Sequence, residues 1–229
     1  MTASLTGISS MATRQLLAEV ADLWRHSGRG EVVFESVGGV DAARRVQDGE
    51  VFDIVVLASD AIDRLDAAGR IEAGSKTDLM RSGVAIAVRR GAPRPAVGSE
   101  RELQAAVASA RGIGYSTGPS GTALLRLFDR WSLAQDVRER LVQAPPGVPV
   151  GELVARGEVE LGFQQLSELM HLDGIDVLGP MPPGAEIVTT FSGAVCAASG
   201  EPAAARSLLD YIRSPAVEAI RHRHGMLTA

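Results

Sequence analysis

The stretch Phe52-Asp-Ile-Val-Val-Leu-Ala58, followed at once by Ser59-Asp60 and a run to Ala68-Gly69, decides the fold class. Its apolar residues are continuous rather than alternating, which predicts a strand covered on both sheet faces. The residues after it space their apolar positions helically and stop at Gly69, so strand and helix follow each other with hardly a loop between them. That unit recurs along the chain. Leu5 to Ile8 reads as a strand, and Ser9-Ser10 leads into a helix carrying Leu16, Leu17, Val20, Leu23 and Trp24 at spacings of three and four. Ser27-Gly28-Arg29-Gly30 ends this helix. Glu31 to Ser36 is the next strand, Gly38-Gly39 its turn, and Asp41 to Gln47 a short helix. The order is that of an α/β sheet with crossover helices.

A second cycle starts near Ser82. Val84 to Val88 predicts a strand, Gly91-Ala-Pro-Arg-Pro95 a loop, Glu100 to Ala110 a helix and Ile113-Gly-Tyr115 a strand. Ser116-Thr-Gly-Pro-Ser-Gly-Thr122 opens a helix with Leu124, Leu125, Leu127, Phe128 and Trp131. A helix near Val150 to Arg156, a strand from Glu160 to Gln164, a loop from Gly179 to Gly184 and a long strand from Ile187 to Ala198 follow. Helical residues from Pro202 to His224 close the chain. No repeat, low-complexity tract or linker interrupts it.

Composition excludes several classes of function. The 229 residues suffice for one large domain or two lobes with a real core. A net charge of −5, with no basic stripe, argues against a nucleic-acid partner. No run of apolar residues is long enough for a membrane span, which speaks against membrane insertion. Neither a basic n-region nor an apolar h-region precedes Leu5, so the reading is cytoplasmic as written and periplasmic if a leader has been trimmed away. Cys196 is the single cysteine, so no intramolecular disulfide forms, and its small apolar setting predicts a buried structural thiol.

Three strand ends carry small-residue turns that run straight into helices: Ile8-Ser-Ser-Met11, Val37-Gly-Gly-Val40 and Gly118-Pro-Ser-Gly-Thr122. Ligands of open α/β sheets settle outside the carboxyl ends of strands, where helix N-termini offer free N–H groups and partial positive charge to an anion. One such turn is an ordinary cap; three in register predict a small-anion site. Competing motifs fail on spacing. In Gly112-Ile-Gly114-Tyr-Ser-Thr-Gly118 the third glycine comes one residue too late for a dinucleotide loop, and no lysine makes it a phosphate loop. Gly118-Pro-Ser120-Gly121 lacks the residue a nucleophile elbow places between serine and glycine. His222 and His224 point to different sides of a helix, and His26 and His171 have no metal-ligand spacing, so neither a metal nor a cofactor is expected. Arg221-His-Arg-His224 reads as a solvated helix C-terminus that complements the dipole.

With their neighbours, these turns resemble the periplasmic molybdate-binding proteins of the type II periplasmic-binding-protein superfamily. The resemblance rests on Ser9-Ser10, on Ala43-Arg-Arg-Val-Gln-Asp-Gly-Glu-Val-Phe-Asp-Ile54, on Gly118-Pro-Ser-Gly121, on Leu161-Gly162, and on Ser214-Pro-Ala-Val-Glu-Ala-Ile220 with His224-Gly225. It implies a two-lobed α/β fold of mixed sheets flanked by helices, with a ligand cleft between lobes joined by two crossover strands. Residues 1–82 and 194–229 would form one lobe and 83–193 the other, with crossings at Arg81 to Val84 and Thr190 to Gly193. It further implies capture of a tetrahedral oxyanion by hydroxyls and amides, and an ABC transporter permease as partner. By motif, Ser10 with Ser9 beside it, Gly38, Gly39, Ser120, Gly121, Thr122, Val148 at the fourth contact, and Gln165 would supply donors.

Two departures redirect the ligand class. Gly38-Gly39-Val40 stands where the molybdate binders have a serine-rich loop, and Gln165, with Gln164 beside it, stands where they have a tyrosine. Both weigh against molybdate or tungstate itself and suit a carboxylate equally well. The same superfamily resemblance includes aconitate isomerases, which move a double bond within a tricarboxylate by proton transfer. For that alternative no loop residue stands out as a general base, so catalytic residues stay unassigned. Arg81, Arg89 and Arg90 near the first crossing are the cations three carboxylates would require, and otherwise serve only solvation.

Overall fold

A computed structural model describes residues 4–229, and the first three residues of the expected first lobe lie outside the described part. The chain divides into two compact units. Unit 1 comprises the described residues up to Ser82 together with Thr189–Ala229, and unit 2 is Gly83–Val188.

In unit 1, β1 (Ser4–Ser10), α1 (Arg14–His26), β2 (Glu31–Val37), α2 (Gly39–Gln47), β3 (Ile54–Ala58) and α3 (Ser59–Ala67) alternate as the residue pattern predicts. β1 pairs parallel with β2 and with β3, so all three carboxyl ends lie at one edge. β3 is buried along its whole length, as a continuous apolar strand must be when helices cover both faces. Leu16, Leu17, Val20 and Trp24 of α1 are buried against one face of the sheet, and Ala61, Ile62 and Leu65 of α3 belong to the cluster on the other. Each large apolar side chain so buried contributes roughly 1.5–3 kcal/mol. Leu23, expected on the same helical face, is instead 37% exposed, because the buried stripe at Leu16, Val20 and Trp24 advances by fours and leaves Leu23 at its margin. The long strand β4 (Thr77–Arg89) carries the chain from unit 1 into unit 2.

Unit 2 continues with α4 (Glu100–Ser109), β5 (Ile113–Tyr115), α5 (Pro119–Arg130), α6 (Ala134–Val137), β6 (Leu141–Gln143), α7 (Val150–Arg156), β7 (Leu161–Gln165), α8 (Leu166–Leu169) and β8 (Ile175–Pro180). Ser99 and Glu102 form a reciprocal capping box that starts α4. β5 pairs parallel with β6 and β7, while the second half of β4 runs antiparallel to β7 and to β8. The short strands β6 and β8 were not expected from the residues; three to six residues of mixed polarity become strands only because a partner edge is present. Gly162 lets α7 pack on β7, since a Cβ there would meet Val154 Cγ2 at 2.4 Å.

The chain returns to unit 1 through β9 (Val188–Val195), which pairs antiparallel with β3, and ends in α9 (Pro202–Arg213), α10 (Glu218–Arg223) and β10 (Met226–Thr228), the last on the first half of β4. Cys196 is buried, and burial together with the charge of Asp53 pushes its thiol up to about 12, so it is an inert packing residue. The closing segment departs from expectation. Arg221 is 2% exposed; its Nη1 donates to the Ile212 carbonyl at 2.7 Å and its Nη2 to that of Ser214 at 3.2 Å. The guanidinium therefore caps the C-terminus of α9 from inside the core instead of complementing α10's own end in water.

Candidate functional site

The edge of unit 1 where β1, β2 and β3 end carries the first group of donors. Ser10 precedes a 3-10 turn (Met11–Thr13) with extended φ −73° and ψ 154°, yet its hydroxyl makes no capping bond. Ser10 is 7% exposed and its Oγ has no hydrogen-bond partner. Burying a hydroxyl without a partner costs roughly 1–3 kcal/mol, and such a group points to a missing ligand or water. Thr13 Oγ1 donates to the Ser10 carbonyl at 3.0 Å, which holds the turn. Gly39 lies against it: a Cβ at Gly39 would stand 3.6 Å from the Ser10 Cβ. The first amide used within α2 is that of Ala42, to the Gly38 carbonyl at 2.9 Å, so Gly39, Val40 and Asp41 present amides that have no acceptor within the helix.

The hydroxyl of Ser9, unlike that of Ser10, has a partner within the protein. Ser9 is fully buried, and its Oγ lies 2.8 Å from Ser36 Oγ, its register partner on β2. It braces the two strand ends. Ser36, which the residue pattern did not single out, supplies the half-buried hydroxyl of that pair. Ser59 was also missed. It opens α3 directly after β3, a third strand end whose Ala58-Ser59 junction repeats the same small-residue signal. The guanidiniums on α2 are already engaged, Arg44 with Asp41 and Arg45 with Glu35 and Glu50. The donors of this edge are neutral.

In unit 2, β5, β6 and β7 likewise end at one edge. Ser120 is 8% exposed at the start of α5, with its Oγ 3.1 Å from Ser116 Oγ. Gly121 is required there, because a Cβ would stand 1.9 Å from the Ser116 carbonyl oxygen. Pro119 has no amide hydrogen and Thr122 already donates its own to the Gly118 carbonyl at 3.2 Å. The available amides of this turn are therefore those of Ser120 and Gly121, and Thr122, an exposed residue, offers only its hydroxyl. The Val148 amide donates to the Pro145 carbonyl at 3.0 Å, closing its own turn.

Gln165 is 3% exposed at the end of β7, opposite Val84 of β4. Its neighbour Gln164 faces α7. There Gln164 Oε1 accepts from the Gly151 amide at 3.4 Å, and Nε2 donates to Glu168 Oε1 at 2.9 Å. Burial pushes the Glu168 carboxyl up to about 7, against the lowering effect of the Gln164 bond. No signal in the residues marks Glu168, which lies on α8 one helical turn beyond Gln164. A group that titrates near neutrality at a strand end is suited to proton transfer.

The arginines near the first crossing join neither group. Arg81 Nε donates to the Thr228 carbonyl at 3.1 Å on β10, and Arg90 pairs with Asp173 at 3.6 Å. Arg89 lines a cavity of about 510 Å³ with Arg94, Arg111 and Glu160. That cavity lies at the amino ends of β5 and β7, the edge of unit 2 away from the donor turns. Among the described residues no cluster of His, Cys, Asp or Glu could hold a metal, and no helix is long and apolar enough to cross a membrane.

Comparison with known proteins places this arrangement. The profile of the bacterial extracellular solute-binding proteins matches residues 5–227. The chain belongs to this family. An aconitate isomerase of Pseudomonas sp is 40% identical over 173 residues, which cover 74% of this chain and 65% of that protein, so the chain matches just under two thirds of its length. Among solved structures, the periplasmic molybdate-binding protein of Azotobacter vinelandii superposes with a TM-score of 0.82 at 18% identity, covering 98% of this chain and 99% of that one. The sulfate-binding protein of Mycobacterium tuberculosis H37Rv gives a TM-score of 0.78 at 18% identity, with 99% and 86% coverage. The fold is thus that of the type II periplasmic binding proteins, with a mixed sheet flanked by helices. The expected cytoplasmic location draws no support from this family, whose description is extracellular.

Proposed function

We propose that this solute-binding protein captures a small anion of the carboxylate class with neutral donors alone. The observation that carries the reading is the buried, partnerless Ser10 hydroxyl set among free amides at a strand-end edge. In unit 1, Ser10, Gly38, Gly39 and the N-terminus of α2 would offer donors to such an anion; unit 2 by itself carries donors of the same kind in Ser120, Gly121, the Thr122 hydroxyl and Gln165. Ser9 would act through Ser36, as a brace. Aligned amides and hydroxyls stabilise an anion without a counter-charge, because helix termini concentrate partial positive charge where the N–H groups converge. Glycines in place of hydroxyls at the second turn leave an amide-rich surface, which suits a planar carboxylate as well as a tetrahedral oxyanion. Delivery of such a ligand to an ABC-type permease would complete the role. A thermal-shift screen against molybdate, tungstate, sulfate, phosphate and di- and tricarboxylates tests it. At 100 times its dissociation constant the true ligand should add about 2.7 kcal/mol. A response to a sugar or amino acid with none to any anion would overturn the reading.

A second reading is favoured by two observations: a relative at 40% identity that is an aconitate isomerase, and a carboxyl near neutrality at the β7 end. In this reading the bound tricarboxylate is also isomerised. Incubation with trans-aconitate in deuterated water, followed by NMR for the cis isomer and for deuterium uptake, separates a binder from an enzyme. Absence of both at high protein concentration removes the isomerase.

A further inference from the structure

The cavity of about 510 Å³ in unit 2 lies away from the donor turns and has a chemistry of its own. Cavities of roughly 300–1,000 Å³ hold small organic molecules. Buried Val88, Ala106 and Leu161 give this one apolar walls, and Arg89, Arg94 and Arg111 bring guanidiniums to its lining. Arg111 is matched: its Nε donates to Glu160 Oε1 at 2.5 Å and its amide to Glu160 Oε2 at 2.7 Å. Arg89 and Arg94 are not. Among the described residues neither guanidinium has an ion pair or a hydrogen bond. The acidic side chains beside the lining are engaged, Glu158 with Arg156 at 2.6 Å and Asp176 with the Gly91 amide at 3.3 Å. Both free cations stand on held backbone. Arg89 ends β4, paired in register with Ile175, and its Nη1 lies 3.5 Å from where a Cβ on Gly157 would stand, over the glycine that ends α7. The Ala92 amide donates to the Arg89 carbonyl at 2.9 Å and closes the turn that follows. Arg94 then sits between Pro93 and Pro95. Proline fixes its own φ and keeps the residue before it extended, so Arg94 has little backbone freedom to lose on binding.

We propose that this cavity is a second ligand site, for a small organic anion with an acidic head and an apolar body. Arg89 and Arg94 supply the charge that meets the head, since a guanidinium offers a planar fork of donors suited to a carboxylate or a phosphate. Val88, Ala106 and Leu161 cover the body, and burial of its apolar surface favours an organic anion over an inorganic one. The whole chain carries a net charge of −5, so the attraction is local to these two arginines and is screened by salt. The site is independent of the neutral donors at the strand carboxyl ends: it lies wholly within unit 2, at the amino ends of β5 and β7, and works by formal charge.

The test titrates the full chain with phenyl phosphate and with benzoate, followed by amide chemical shifts in NMR. Inorganic phosphate serves as the head without a body, and benzyl alcohol as a body without charge. At least one of the two organic anions should move the amide signals of residues 88–92, 106–111 and 157–161, and the tighter of them tells whether the head is a phosphate or a carboxylate. Arg89→Gln and Arg94→Gln, both at exposed positions, should each raise the Kd about tenfold or more, and added salt should weaken binding in the parent. Arg101→Gln, on α4 outside the cavity, and Ser10→Ala, at the unit 1 edge, should leave this Kd unchanged, so that the two sites stand or fall separately. No movement of the cavity signals at ~10 mM of either organic anion overturns the site. Binding that both glutamine variants retain at parental strength, or that benzyl alcohol matches, overturns the role of the arginines. Inorganic phosphate bound as tightly as phenyl phosphate overturns the apolar half of the proposal.

Discussion

The two strand-end edges use one device with different content. In unit 1, β1, β2 and β3 end together, each followed by a helical turn, and the donors there are a partnerless hydroxyl and free amides. In unit 2, β5, β6 and β7 end together in the same way, but the Ser116–Ser120 pair is satisfied within itself and a titratable carboxyl stands behind Gln164. Under the proposed reading, unit 1 would hold charge supplied from outside. Unit 2 contains a group that can change its own charge. The comparison teaches that parallel strands supply the geometry of an anion site, while the side chains at their ends decide whether protons can move there.

The contrast breaks most visibly at its glycines. Gly121→Ala should destabilise the protein by about 3 kcal/mol or more, since its Cβ would enter the Ser116 carbonyl and backbone must move. Gly39→Ala faces only an ordinary contact with Ser10 at 3.6 Å, and should cost less than about 1 kcal/mol. Equal costs in chemical denaturation would show the two turns to be built alike.

The pH dependence of stability comes next. The Glu168 carboxyl titrates higher when folded, about 7, than the ordinary 4.5. The folded state therefore binds the proton more tightly, and its contribution is fully present below about 4.5 and lost as pH rises through about 7. The loss should amount to about 2 kcal/mol once solvent reaching this partly buried group is counted. Glu168→Gln should flatten that slope between pH 4.5 and 7 in denaturant titrations. An unchanged slope would place the titration elsewhere and remove the distinction between the units.

Ser10→Ala sharpens the account of unit 1. It should weaken ligand binding by roughly 1–3 kcal/mol while leaving the ligand-free protein as stable as before or slightly more so, because the hydroxyl it removes has no partner. Isothermal titration beside melting of the free protein reads both. Ser9→Ala should do the reverse and by less. It strands Ser36 and costs about 1 kcal/mol of stability, with affinity lowered only through the loosened strand ends. If Ser9→Ala proved the larger loss of affinity, Ser9 would be a direct ligand donor and Ser10 a structural residue.

Local interactions made much of this molecule legible in the residues. The alternation of strand and helix, the buried face of α1, the fully buried β3, the stop at Gly69 and the inert thiol of Cys196 all follow from periodicity, caps and apolar runs. So does the existence of small-residue turns at strand ends, since Ser9-Ser10 and Gly118-Pro-Ser-Gly121 sit between two strong local signals. β6, β8 and β10 were not legible, because short strands exist only when a neighbour offers its edge.

Tertiary structure alone decided which donors are available and which groups titrate. Ser9 and Ser10 look interchangeable in sequence, yet alternation along β1 turns one toward Ser36 and leaves the other partnerless. Thr122 and Val148, by contrast, give their amides to carbonyls three or four residues back, a local effect of their own turns. Arg221, read as a solvated helix end, became a buried cap because the carbonyls of α9 meet it only after the chain folds back. Glu168 became a group that titrates near neutrality through burial. A side chain's charge state depends on how much water and which partners surround it; for Glu168 the partner Gln164 is a neighbour along the chain, while the loss of water comes from the elements packed around α8.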